Sequence, residues 1–74
     1  MKHIIQFKIY QGEKYYVAEC VDLPIVTQGK TLDEVAVNIK EALSLYLEGE
    51  ELSDLDLAPH PSVLVNFELD MAYA

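Results

Sequence analysis

Val17–Leu47, VAECVDLPIVTQGKTLDEVAVNIKEALSLYL, is the stretch whose reading decides the fold. It reads as the end of a strand, a tight turn, a short strand and an amphipathic helix. Leu32, Val35, Ala36, Ile39, Leu43, Tyr46 and Leu47 recur at steps of three and four, so they share one stripe of a 3.6-residue period. Asp33, Glu34, Asn38, Lys40, Glu41, Ser44 and Glu48 fall on the other side. Thr31 and Glu34 have the capping-box spacing, in which each side chain is expected to satisfy the other residue's backbone N–H. Asp33 and Glu34 also sit at the positive end of the helix dipole. Gly49 stands where a left-handed residue would stop the helix.

Working outward, His3–Tyr10 (HIIQFKIY) alternates Ile5, Phe7 and Ile9 against Gln6 and Lys8, the pattern of a half-buried strand. Gln11-Gly12-Glu13 reads as a turn in which the glycine allows a positive φ, and Lys14–Cys20 as the returning strand of a hairpin. Asp22-Leu23-Pro24 breaks the sheet, because Pro24 has no N–H to give. A third strand over Ile25–Gln28 follows. Beyond the helix, Gly49–Pro61 (GEELSDLDLAPHP) reads as an acidic loop, with a helical turn and leucines that touch the core. Ser62–Leu69 (SVLVNFEL) alternates as a fourth strand, and 70–74 is a short tail.

The expected fold class is therefore α+β, a single β-β-β-α-β domain over 1–74. The antiparallel meander makes the third strand parallel to the first, and the helical crossover returns the fourth in the same direction. The sheet order 3-2-1-4 follows, with the helix on one face. The Tyr15/Tyr16 pair is expected to leave one tyrosine on the other face, an interface-like feature.

Seventy-four residues make a thin core, burying only roughly 60% of the unfolded surface, and chains of this size often gain stability by association. A homodimer or higher homo-oligomer is expected. The apolar share of 51% fits a globular fold. No apolar run approaches the roughly 20 residues of a membrane helix, and the N-terminus turns polar too early for a signal peptide. Cys20 is the only cysteine, so no intrachain disulfide can form. A cytoplasmic location is the expectation, and Cys20 reads as a small hydrophobe late in a strand.

Five lysines, no arginine and thirteen acids leave a net charge of −8. Nucleic-acid affinity depends on clustered Lys and Arg releasing counterions, so no direct nucleic-acid binding is expected. An acidic surface instead speeds encounter with basic partners. The acids are unevenly placed: eight of the thirteen lie at or beyond Glu41.

Catalytic patterns are lacking: there is no Gly-rich phosphate loop, GxSxG, HExxH or CxxC. His3 and His60 lie at opposite ends of the chain, His60 in a stiff extended loop between two prolines. Glu19 and Asp22 flank the end of the second strand and could hold a divalent cation, which makes a metal-dependent nuclease remnant an alternative. The expectation is a protein that is not an enzyme and carries no catalytic, cofactor or metal site.

The run AEC-V-DLP-IVTQG-KTLDEVA resembles the HicB-like antitoxin family at Asp22, Leu23, Pro24, Thr27, Gly29, Thr31 and Glu34. Ile25 stands where that family usually has glycine, and Val35 where it usually has alanine. Pro59-x-Pro61-Ser62 before the last strand also matches the family's habit. The resemblance implies a partial ribonuclease-H-like domain that masks a small basic HicA-type mRNA-cleaving toxin. Glu19, Asp22, Leu23, Pro24, Asp33 and Glu34 are the partner-binding residues it nominates. The C-terminal DNA-binding segment common in the family has no counterpart in 70–74, so autorepression through such a segment is not expected. The alternative within the resemblance is a solitary HicB-like oligomer without a toxin.

Overall fold

A computed structural model of the chain describes residues 1–69 and 71. The expected tail, 70–74, lies outside the described residues apart from Met71. The elements run β1 (Lys2–Gln11), β2 (Tyr16–Cys20), β3 (Val26–Gly29), α1 (Leu32–Leu47), a 3-10 turn η1 (Leu52–Leu55) and β4 (Leu57–Phe67). The sheet order is β3-β2-β1-β4. β1–β2 and β2–β3 are antiparallel, and β1–β4 is parallel. The expected β-β-β-α-β α+β domain and strand order are what the chain adopts.

Register follows the alternation of β1. Ile5, Phe7 and Ile9 are buried beneath the helix. Phe7 pairs with Cys20 and Ile9 with Ala18, so Tyr16, Ala18 and half-buried Cys20 share that face. From the helix come Val35, Ile39 and Leu43, with Ala42, Tyr46 and Leu47 at the margin. Two residues of the expected stripe fall outside it: Ala36 is exposed, and Leu32 is 42% exposed. Asn38, assigned to the polar side, is half-buried because its Nδ2 donates to the Gln28 carbonyl at 2.7 Å.

The hairpin turn differs from expectation. Gly12 has no positive φ, since Gly49 is the only glycine with one among the described residues. The Gly12 N–H donates to the Tyr15 carbonyl at 2.8 Å, closing a four-residue loop that needs no left-handed residue. Gly12 serves close approach: a Cβ there would lie 3.0 Å from that same oxygen. Tyr15 lies in this loop, and Tyr16 points to the helix side, where its ring meets Phe67 edge-on at 5.7 Å.

Thr31 caps α1, its Oγ1 accepting from the Glu34 N–H at 3.1 Å. The return bond is shifted by one residue: Glu34 Oε1 accepts from the Lys30 N–H at 3.3 Å, not from that of Thr31. Gly49 at φ 77 ends the helix as expected, and the Glu50 N–H closes back on the Leu47 carbonyl at 3.1 Å.

Part of the expected 49–61 loop is strand. Leu57 pairs with Lys2 and Ile4 with Ser62, so an irregularity separates the two parts of the β1–β4 ladder. Within it, His60 takes a left-handed φ of 54, which corrects the stiff extended loop expected there. Pro59 and Pro61 are tolerated because β4 is an edge strand. Leu52 and Leu55 pack on the core as expected, and Leu57 is buried in it.

Candidate functional site

The six nominated residues occupy three separate places. Glu19 points to the sheet face opposite the helix, directly across from Lys8. The Tyr10 hydroxyl donates to Glu19 Oε1 at 2.7 Å, and Lys8 Nζ lies 6.0 Å from the centre of the Tyr10 ring. The hydrogen bond to Glu19, reinforced by loss of water and by the carboxylate charge, holds the Tyr10 phenol above its usual range. Glu19 is thus engaged within its own sheet.

Asp22, Leu23 and Pro24 form the turn between β2 and β3. The turn is pinned by the Cys20 N–H to the Ile25 carbonyl at 2.9 Å and the Val21 N–H to the Gln6 carbonyl at 2.9 Å. Asp22 Oδ2 lies 3.0 Å from Lys2 Nζ, an exposed pair of small energetic weight. Leu23 packs against the core, whereas Pro24 is exposed. Beside this turn is a hollow of about 200 Å³. Ile4, Ile5, Leu23, Leu55 and Leu57 give it apolar walls, and Lys2, Asp22 and Asp56 give it charge.

Asp33 and Glu34 lie at the other end of the β2–β3 ladder. Gly29, just before the helix, pairs with Tyr16 at the start of β2, whereas Asp22 follows the end of β2. Four residue pairs at about 3.3 Å per residue separate the two ends. The helix-start acids therefore lie apart from Asp22 and Leu23, with the length of the β2–β3 ladder between them. Glu34 is moreover committed to the helix cap.

What the sequence reading did not nominate is the stronger acidic feature. Glu48, Glu50, Glu51, Asp54 and Asp56 run from the helix end through η1, all exposed. Of these five acids only Asp56 has an ion pair among the described residues, with the N-terminal ammonium at 3.5 Å. Glu48 and Glu50 lie at the negative end of the helix dipole, where anions are disfavoured, and no basic residue occupies the last turn. Asp56, which is in the left-handed conformation, carries this tract to the hollow beside Asp22 and Leu23. The excess of acids beyond Glu41 is the signal in the sequence that points to this tract.

The arrangement offers electrostatic attraction and apolar contact. Among the described residues no group of three or more His, Cys, Asp or Glu side chains converges as metal ligands. No helix among them is long and apolar enough to cross a membrane. No family model, curated protein or solved structure matches the chain.

Proposed function

We propose that the chain is an interaction protein of the HicB-like antitoxin kind, which binds a small basic HicA-type ribonuclease toxin and masks its RNA-binding surface. The observation that carries this reading is the run of acids from Glu48 to Asp56, gathered without lysine partners at the negative end of α1. A chain that folds with those carboxylates together bears their repulsion until a cationic surface relieves it. The DLP turn supports the same reading from another side. It sets Asp22 and Leu23 beside the hollow that Asp56 also lines, so a basic side chain could lay its apolar stem on Leu23 and Leu57 and its charge near the carboxylates. Carboxylates presented where RNA phosphates would sit are complementary to a nucleic-acid-binding surface.

The test is capture of the tagged chain from its own cells, followed by titration of the captured small basic protein with wild-type and charge-reversed chains. Binding should weaken when Glu50, Glu51 and Asp54 are changed to Lys, and should fall steeply with salt. Ribonuclease activity of the partner should be suppressed by the wild type alone. A partner that is acidic, or one that binds the reversed chain equally well, would overturn the reading.

A further inference from the structure

Strand β4 ends the sheet with backbone groups that no further strand among the described residues pairs with, and with apolar side chains that are only partly covered. Its one sheet neighbour is β1. The Glu68 N–H donates inward to the Ile9 carbonyl at 2.8 Å, so the alternation of a parallel ladder sends the even-numbered groups of β4 toward β1. The N–H and C=O of Val63, Val65 and Phe67 therefore face the open edge. Their side chains lie on the helix side, in register with Ile5, Phe7 and Ile9. The helix packs most closely on β3 and β2, at the far side of the sheet from β4. Val63, Val65 and Phe67 remain 37%, 41% and 39% exposed, where their β1 partners are almost completely buried.

The charge distribution says what can cover this edge. Leu57–Phe67 contains no Asp, Glu, Lys or Arg in a chain of net charge −8. Two copies repel one another across their other acidic surfaces, and β4 is the strip on which they can approach. We infer that β4 pairs antiparallel with β4 of a second copy of this chain, with Val65 on the two-fold axis. In that register Val65 faces the partner's Val65, and Val63 faces the partner's Phe67. Each of these three residues gives one N–H and one C=O, so the two copies make six ladder hydrogen bonds. Moving the axis one residue toward Ser62 opposes Phe67 to Pro61, which has no N–H to donate. Glu68 meets the partner's Ser62, so no like charges oppose each other. The two apolar rows join into one strip between the two helices. This pairing does not depend on the antitoxin reading, since it uses none of the acids from Glu48 to Asp56.

Sedimentation equilibrium of the full chain at micromolar concentration should give twice the 8.4 kDa of one chain. Val65→Lys places two ammonium groups at the axis and should return the mass to one chain, with the far-ultraviolet spectrum unchanged. Cysteine scanning in a Cys20→Ser background fixes the register without relying on that variant's folding. Directly opposed hydrogen-bonded residues have Cα atoms about 5.5 Å apart, within the roughly 4.4–6.8 Å that a disulfide spans. Val65→Cys should therefore cross-link on mild oxidation, and Asn66→Cys should not. A monomeric wild type would overturn the inference. So would a dimer that survives Val65→Lys or breaks with Val26→Lys on the opposite sheet face. Cross-linking at Asn66 and not at Val65 would overturn the register.

Discussion

Gly29 lies against the first turn of the helix so closely that a Cβ there would come within 2.9 Å of the Val35 backbone nitrogen and 3.0 Å of its Cγ2. That contact joins the last residue of β3 to the segment that buries Val35, a core residue with no exposed surface. The neighbour is backbone, so it cannot swing aside. Gly29→Ala should cost about 1–3 kcal/mol through overpacking, read as a lower midpoint in urea unfolding. An unchanged midpoint would mean that the helix start shifts freely on β3.

The helix face and its cap give a second pair of values. Leu43 is 7% exposed and packs in the central cluster, so Leu43→Ala should cost roughly 2–5 kcal/mol. Thr31→Ala removes the 3.1 Å bond to the Glu34 N–H and should cost about 1 kcal/mol. Both are read by the same denaturation. A larger loss from the cap than from the leucine would contradict the packing described.

A stabilising change follows from the helix end. Glu48 caps α1 at its negative pole, with no basic residue nearby. Glu48→Lys should raise stability by about 0.3–1 kcal/mol at low salt, and the gain should shrink as salt is added. If the proposed toxin contact is correct, the same change weakens partner binding. Stability and binding then move in opposite directions, a pattern that simple misfolding does not produce.

The Tyr10–Glu19 bond gives a pH signature. Its folded-state phenol titrates above the ordinary tyrosine value of about 10. The folded chain therefore holds the phenolic proton more firmly than the unfolded chain. The associated stability is present below the unfolded pKa and is lost as pH rises through the higher folded one. Ultraviolet titration should show one tyrosine ionising late, and Glu19→Gln should bring it back toward the others. A late tyrosine that ignores Glu19→Gln would assign the shift to another residue.

Much of this architecture was legible in the sequence because its signals are local. The 3.6-residue stripe through Val35, Ile39 and Leu43, the Thr31 cap, Gly49 and the alternation of Ile5, Phe7 and Ile9 each depend on near neighbours. The parts read differently depend on distant ones. Gly12 meets Tyr15 across a turn, and the length of β4 before Ser62 depends on Leu57 finding Lys2. The left-handed His60 lies where the register of that ladder shifts, which its flanking prolines alone do not reveal. The site was less legible for a related reason. Sequence motifs mark residues that recur, whereas the intrachain partners of Glu19, Asp22 and Glu34 emerge only once Tyr10, Lys2 and Lys30 are brought beside them. The acids from Glu48 to Asp56 form no motif, and it is their position at a helix terminus that distinguishes them.

The brevity of β3 sets the sheet's capacity to grow. It is the edge opposite β4, only four residues long, and its last residue is pressed under the helix start. A strand that short offers too few backbone groups to template another chain, and short edges are one way proteins resist fibrous stacking. Once β4 is engaged, the remaining edge cannot propagate the pairing. On the pairing inferred for β4, association should stop after a single step, and crowding the chain should yield a finite particle, not a filament.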